Sequence, residues 1–230
     1  MTYTIGIIGG TGREGKGLAY RWAKAGHRVL IGSRTQEKAQ AAAGELKALL
    51  PQAARIEGMP NAAAVEQCDI AVLTVPFAAH SDMLQTLNDL LQGKILIDVT
   101  VPLNPGKVTR VSISPEGSAA QQAQKILGEG VQVVAAFQNI AYEHLLNDEI
   151  VECDVLVSGT GKEARRTVIG LVQDAGLTGW DAGVIENSIV IEGLTPILIG
   201  LNIQHKVSSA GIKIITVAVA VTAHQVLNVK

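Results

Sequence analysis

An apolar run, Ile5 to Ile8, stops in Gly9-Gly10-Thr11-Gly12-Arg13-Glu14-Gly15-Lys16-Gly17, and a helical stretch reaching Ala25 follows at once. Gly10, Gly12 and Gly15 have the spacing G-x-G-x-x-G. A strand that must turn back into a helix within so few residues needs glycine for the turn and for close strand–helix packing. Where a diphosphate is to approach the backbone, it needs glycine a third time. The N-terminus of the helix leaves free N–H groups and a partial positive charge beside that turn. The pattern predicts the first β-α unit of a Rossmann-type sheet, with the phosphates of a dinucleotide at the glycine turn.

The next strand ends in Val29-Leu30-Ile31-Gly32-Ser33-Arg34, with Lys38 one helical turn on. At this point a fold that takes NAD usually carries an acid for the ribose 2′-hydroxyl. Here a hydroxyl and two cations stand in its place. An acid would repel a 2′-phosphate, whereas a guanidinium can hold two of its oxygens and an ammonium adds a point charge. Cations are also disfavoured at a helix start unless an anion compensates them. Ser33, Arg34 and Lys38 therefore point to NADP.

The rest of the chain alternates in type. Strands are expected at Arg28–Ile31, Arg55–Glu57, Asp69–Val75, Lys94–Val99, Val131–Ala136, Asp154–Ser158 and Thr178–Asp181. Helices are expected at 15–25, 35–50, 77–91, from a Ser118 cap to Gly128, and at 162–175, with a short one capped by Asn61. An apolar helix over 186–206 is interrupted by Gly193 and Pro196. Such alternation predicts an α/β fold, a doubly wound parallel sheet with a small C-terminal extension or lid. Residues 1–150 form the nucleotide-binding domain, and 151–230 a smaller portion that completes the cleft. Ligands in these sheets lie at the carboxyl ends of the strands, which brings Val75-Pro76 and Val101-Pro102 to the reactive end.

The net charge is −2, aromatics make up 3% of residues, and there is no basic run, so nothing points to nucleic acid. The apolar stretches are broken or short. Val190 to Ile203 contains Glu192 and Pro196, and Ile214 to Ala223 spans ten residues, too few to cross a bilayer. Cys68 and Cys153 show no metal-ligand spacing, and Met1-Thr2-Tyr3 runs directly into the first strand. A cytoplasmic protein without metal is the expectation. The apolar surface of Ile189–Ile203 suggests a homodimer.

A general acid or base, needed where a hydroxyl proton moves with a hydride, is not evident. The one Tyr-x-x-x-Lys match, Tyr20 and Lys24, lies in the first helix beside the glycine turn. His80 sits just beyond a strand end, from which it could reach the cleft, but a place on the helix surface is the better reading. No carboxylate partner is assignable to His27, His144, His205 or His224. A site that moves only a hydride between two bound rings needs no such group, because positioning supplies most of the effect. No catalytic side chain is therefore expected.

Taken together, these segments resemble the F420-dependent NADP reductases. The resemblance rests on the glycine turn with Lys16-Gly17-Leu18-Ala19, on Gly32-Ser33-Arg34 with Lys38, and on Cys68-Asp69-Ile70-Ala71-Val72-Leu73-Thr74-Val75-Pro76. Ala136-Phe137-Gln138-Asn139-Ile140 and Glu192-Gly193-Leu194-Thr195-Pro196 complete it. It spans about residues 3 to 216 and implies hydride transfer between the nicotinamide C4 and C5 of the deazaflavin coenzyme F420. It also implies that Thr11, Gly12, Arg13 and Glu14 wrap the diphosphate and that Val75, Pro76 and Val101 flank the nicotinamide. Gln138, Asn139 and the segment ending at Pro196 would shape the deazaflavin pocket. Some members have His where Gln138 stands, so no titrating group is assigned there. Val217 to Lys230 is an addition beyond the family's usual end. The alternatives are an NADPH-dependent reductase of a small carbonyl, imine, flavin or ferric substrate, and a non-enzymatic NADPH-binding redox sensor.

Overall fold

The computed structural model describes residues 1–147 and 150–216; the Val217–Lys230 addition and His224 lie outside them. Strands with apolar residues on both faces can only be buried between two layers of helix, and that is their position. The strands are β1 (Thr4–Ile8), β2 (Arg28–Ser33), β3 (Arg55–Pro60), β4 (Ile70–Leu73), β5 (Ile95–Asp98), β6 (Gln132–Ala135), β7 (Asp154–Gly159) and β8 (Thr178–Gly183). They form one eight-stranded sheet in the order β3-β2-β1-β4-β5-β6-β7-β8. Helices α1 (Arg13–Lys24), α2 (Gln36–Lys47) and α6 (Lys162–Asp174) cover one face, with Leu18, Trp22, Leu46 and Val168 packed on Ile5, Ile7 and Val134. Helices α3 (Asn61–Gln67), α4 (His80–Leu91) and α5 (Ala119–Leu127) cover the other, where Val65, Leu84, Leu87 and Ala123 meet Ile8, Leu73 and Leu96.

The Rossmann-type architecture stands, but the sheet is mixed. β1 to β6 run parallel, whereas β7 pairs antiparallel with β6 through Val134↔Gly159 and Ala135↔Ser158, and β8 follows β7 in parallel. A parallel neighbour needs a crossover, usually a helix. Between β6 and β7 the described chain forms only one 3-10 turn, Tyr142–His144, so the strand returns alongside instead. The division expected at residue 150 falls between these two hydrogen-bonded strands of a single sheet.

Several local expectations shift. Helix α1 starts two residues early, because Gly12 N–H closes on the Gly9 carbonyl at 3.2 Å and Gly12 becomes the N-cap. Asn61 does not cap α3 but is its first residue, and its side chain is used elsewhere. Ser118 does cap α5, its Oγ accepting from Gln121 N–H at 3.0 Å. The C-terminal helix α7 (Ser188–His205) runs unbroken through Gly193 and Pro196 after a 3-10 turn at Ile185–Asn187. The proline removes the donor that the Glu192 carbonyl would otherwise receive. Asn139 grips the helix beside this gap, its Nδ2 donating to the Ile191 carbonyl and the Thr195 hydroxyl at 3.0 Å each.

His27 is buried and partnered, correcting the sequence reading. Its Nδ1 accepts from Tyr3 N–H at 3.1 Å, so its Nε2 carries the proton given to Asp174 at 3.0 Å. This ties the α1–β2 turn to α6. Along α7, Val190, Ile197, Leu201 and Ile203 remain 40–64% exposed. Among the described residues, no helix is long and apolar enough to cross a membrane, and no cluster of His, Cys, Asp and Glu could hold a metal.

Candidate active site

The strand order reverses direction between β1 and β4, and a cavity of about 1070 Å³ opens at their carboxyl ends. This is where open α/β sheets bind ligands. The volume lies above the roughly 300–1,000 Å³ usual for one drug-sized molecule.

One region is built by the glycine turn. Gly9 has φ +74°, a conformation that costs glycine nothing. Its N–H donates to Asn61 Oδ1 at 3.1 Å, while Gly10 N–H donates to the Gly32 carbonyl at 2.9 Å. A Cβ on Gly15 would meet Gly10 Cα at 2.6 Å and Thr74 Oγ1 at 2.9 Å, so the start of α1 lies directly on the strand exit. Gly12 differs: a Cβ there would meet only the Gly9 carbonyl, at 3.7 Å. The protein itself leaves room at Gly12, which lines the cavity, and the first turn of α1 has no side-chain cap. Its N–H groups face an open site. Thr11 and Glu14 also line the cavity. Arg13 does not, because its guanidinium hydrogen-bonds Tyr142 Oη and lies 5.2 Å from the centroid of that ring.

A second region is cationic. Ser33, Arg34, Thr35 and Lys38 line it together, and neither Arg34 nor Lys38 has a carboxylate partner among the described residues. Ser33 is buried, while both cations are exposed.

The third region is mainly apolar, formed by Val75, Pro76, Phe77, Val101, Phe137 and Ile140 with Thr100 and Gln138 among them. Phe137 has φ +73°, a strained setting for a bulky residue that typically costs about 1–3 kcal/mol. It buries its ring edge-on against Trp22, 5.7 Å between centroids. The next residue, Gln138, donates Nε2–H to the Asp98 carbonyl at 2.7 Å, which fixes the amide and leaves Oε1 buried at the cavity with no hydrogen-bond partner. Asn139 and Pro196 lie outside the cavity lining, on the contact that seats α7. Gly10 and Gly15 likewise act behind it.

His80 is not a surface residue. It is fully buried, with Nε2 2.7 Å from Asp98 Oδ2 and Nδ1 2.9 Å from Gln122 Oε1. The Gln122 amide donates to Glu116 at 3.2 Å, so its oxygen faces His80 and both ring nitrogens meet acceptors. Burial opposes the imidazolium, but the Asp98 carboxylate and the hydrogen bonds from Asp98 and Gln122 outweigh it and raise the His80 pKa above 6.5. The pair supports the cavity from below. Asp98 Oδ1 accepts from Thr100 N–H at 3.0 Å, the Asp98 carbonyl holds Gln138, and Phe77 lies against His80 with 5.8 Å between ring centroids. Sequence reasoning missed this network, although one signal was present. His80, Leu84, Leu87 and Leu91 share the buried face of α4 at helical spacing, and Asp98 ends an otherwise apolar strand.

Fold and cavity together define a Rossmann-type protein whose cleft joins a glycine turn, a cation pair and an apolar end. A sequence model of the family described as NADP oxidoreductase, coenzyme F420-dependent, matches residues 4–102. The F420-dependent NADP reductase of Methanocaldococcus jannaschii is 41% identical over 218 residues, covering 91% of this chain and 97% of that protein. The enzyme of the same name from Methanothermobacter thermautotrophicus is 42% identical over 224 residues, covering 93% and 95%. A solved structure from Arthrobacter sp. FB24, described as a candidate F420-dependent NADP reductase, shares the fold at a TM-score of 0.79 and 24% identity. The match covers 93% of this chain and all of that one. The chain belongs to the F420-dependent NADP reductase family, a family of NADP(H)-linked oxidoreductases.

A raised histidine pKa gives stability that is fully present below the unfolded value and lost as pH rises through the folded one. His80→Gln should cost about 3–5 kcal/mol at pH 6, since it strands Asp98 in the interior. The difference between wild type and variant in urea unfolding should shrink steadily towards pH 9. A difference independent of pH would show that His80 is neutral in the fold.

Proposed function

We propose that this protein passes a hydride between NADP(H) and the deazaflavin coenzyme F420, in either direction. The observation that carries the reading is one continuous cavity linking Arg34 and Lys38, which have no carboxylate partner among the described residues, to the apolar end at Val75, Pro76 and Val101. The residues fit a dinucleotide: a glycine cradle with free helix N–H groups, room above Gly12, and a buried acceptor, Gln138 Oε1, still without a donor. Bound nicotinamide and deazaflavin would supply the redox chemistry themselves. The chain's task is to hold them.

In this reading Ser33, Arg34 and Lys38 take the 2′-phosphate, while Thr11, Gly12, Glu14 and the first turn of α1 take the diphosphate, Arg13 through its backbone N–H alone because its guanidinium is held by Tyr142. Val75, Pro76 and Val101 flank the nicotinamide and exclude water from it. Gln138 offers its acceptor oxygen to a ring N–H. Asn139 and Pro196 act one step removed, by seating α7 against the segment that carries Gln138. No proton need be moved by a side chain, because aligned rings in contact react by positioning alone. The exposed apolar face of α7, with Val190, Ile197, Leu201 and Ile203, would bury itself against a second copy in a homodimer.

Arg34→Ala should raise the NADP dissociation constant about ten- to a hundredfold, the loss of roughly 1.5–3 kcal/mol expected for a charge-assisted contact. NAD binding should change little, and equal weakening of both would make Arg34 structural. Gly12→Val should fold normally, given the free space at that Cβ, yet lose dinucleotide binding in calorimetry. Retained affinity would place the ligand elsewhere. The reaction itself is tested by mixing protein and NADPH with F420, with a free flavin or with ketones and following absorbance. NADPH deuterated at the transferred C4 position should deliver its label to C5 of reduced F420. Turnover only with ketones, or label lost to solvent, would move the assignment to a carbonyl reductase.

A further inference from the structure

One acidic side chain in the cavity stands where an anion site should not have it. Glu14 is the second residue of α1, between Gly12 and Gly15, and its side chain lines the cavity beside Thr11 and Gly12. An exposed glutamate in a first turn is ionised and favoured there by the helix dipole. Glu14 is half-buried: Oε1 is sealed from solvent and has no hydrogen-bond partner, while the residue as a whole lines the open cavity. The cations around it are engaged elsewhere. Arg13 is held by Tyr142, and Lys16 by Glu45. The charge that acts on Glu14 from the packed 3-10 turn is a second carboxylate, Glu143. Arg34 and Lys38 line the same cavity but belong to the cationic region. Burial first, then Glu143, push the Glu14 pKa up to about 8.

A carboxylate with one oxygen sealed and unpartnered is costly, and beside a bound diphosphate it would also repel the ligand. A carboxylic acid has neither fault, since its O–H can donate to a phosphate oxygen. Resting on the NADP(H) reading of the cavity, we propose that Glu14 works as an uncharged acid that donates a hydrogen bond to the dinucleotide's diphosphate. The enclosure that leaves Oε1 without a partner disfavours the charge and keeps a proton on the carboxyl, and the O–H on the oxygen that is not sealed donates to the ligand. Binding then selects the protonated form. Affinity is level while Glu14 holds its proton and falls as pH rises past the point where the free protein loses it.

The test is calorimetric titration with NADP⁺ between pH 6.5 and 9.5, comparing wild type with Glu14→Gln, whose amide also donates but does not titrate. The variant carries every other titrating group, including Glu143, Tyr142, Arg34 and Lys38, so the ratio of the two dissociation constants isolates Glu14. That ratio should climb by up to about tenfold per pH unit above pH 8, the slope of one proton. With adenosine 2′-phosphate, which lacks the diphosphate, it should stay flat. A second readout needs no ligand: the Glu14 side-chain carboxyl carbon, assigned in NMR by its loss in the variant, should titrate above pH 7 in the free protein. NADP⁺ should shift that midpoint upward. Parallel pH profiles for the two proteins, or a carboxyl titrating near its ordinary value of about 4.3, would overturn the proposal while leaving the dinucleotide reading intact. Failure of wild type to bind NADP⁺ at pH 7 would remove both.

Discussion

The site depends first on how closely α1 can begin above the end of β1. Gly10 and Gly15 make that approach possible, since a Cβ on Gly15 would fall 2.6 Å from Gly10 Cα. From this contact the rest is placed. The helix N-terminus comes to the carboxyl edge of the sheet, where its unpaired N–H groups meet the cavity. The Gly10 N–H, bonded to the Gly32 carbonyl, ties the turn to β2, and Ser33 and Arg34 follow immediately along the chain. Asn61, from the next helix over, takes up the Gly9 N–H. One tight packing contact thus aligns the glycine turn with Ser33 and Arg34, the residues proposed to discriminate the 2′-substituent.

The opposite end of the cavity is held by a buried charge pair. His80 and Asp98 are nearly without exposure, and charges taken from water are tolerated only when their hydrogen-bonding capacity is filled. It is filled here by Gln122, Thr100 and the pair itself. The arrangement extends outward into cavity-lining residues, through Thr100, Phe77 and Gln138. Phe137 adds backbone strain to the same region, and its ring packing on Trp22 offsets that cost. The apolar end of the cavity is accordingly held from several sides at once, which suits the positioning role proposed for it.

Glu14 and Gln138 share one property. Each presents a buried oxygen with no partner inside the protein, and each lines the cavity. Unsatisfied buried polar atoms are rare enough in folded proteins that each one asks for a reason. Two of them belong to residues of one cleft, one in the glycine turn and one at the apolar end, the two ends of the path proposed for the dinucleotide.

Local pattern determined much of this. The glycine spacing fixed the first β-α unit, the apolar runs of β4 and β5 announced buried parallel strands, and Ser33, Arg34 and Lys38 stood where the strand order made them neighbours of the cavity. These features were legible because turn geometry, hydrophobic period and helix capping act over a few residues. The direction of β7, the true task of Asn61 and the retreat of Asn139 and Pro196 behind the cavity were decided by contacts between distant segments. So was the burial of His80. Its partners lie 18 and 42 residues away, and a histidine on the apolar face of a helix looks the same in sequence whether or not a carboxylate waits beneath it. Whether Glu14 carries its charge was decided likewise. Ionisation depends on what encloses a group, and only the packed chain brings Glu143 and the cavity wall to it while Arg13 and Lys16 turn to other partners.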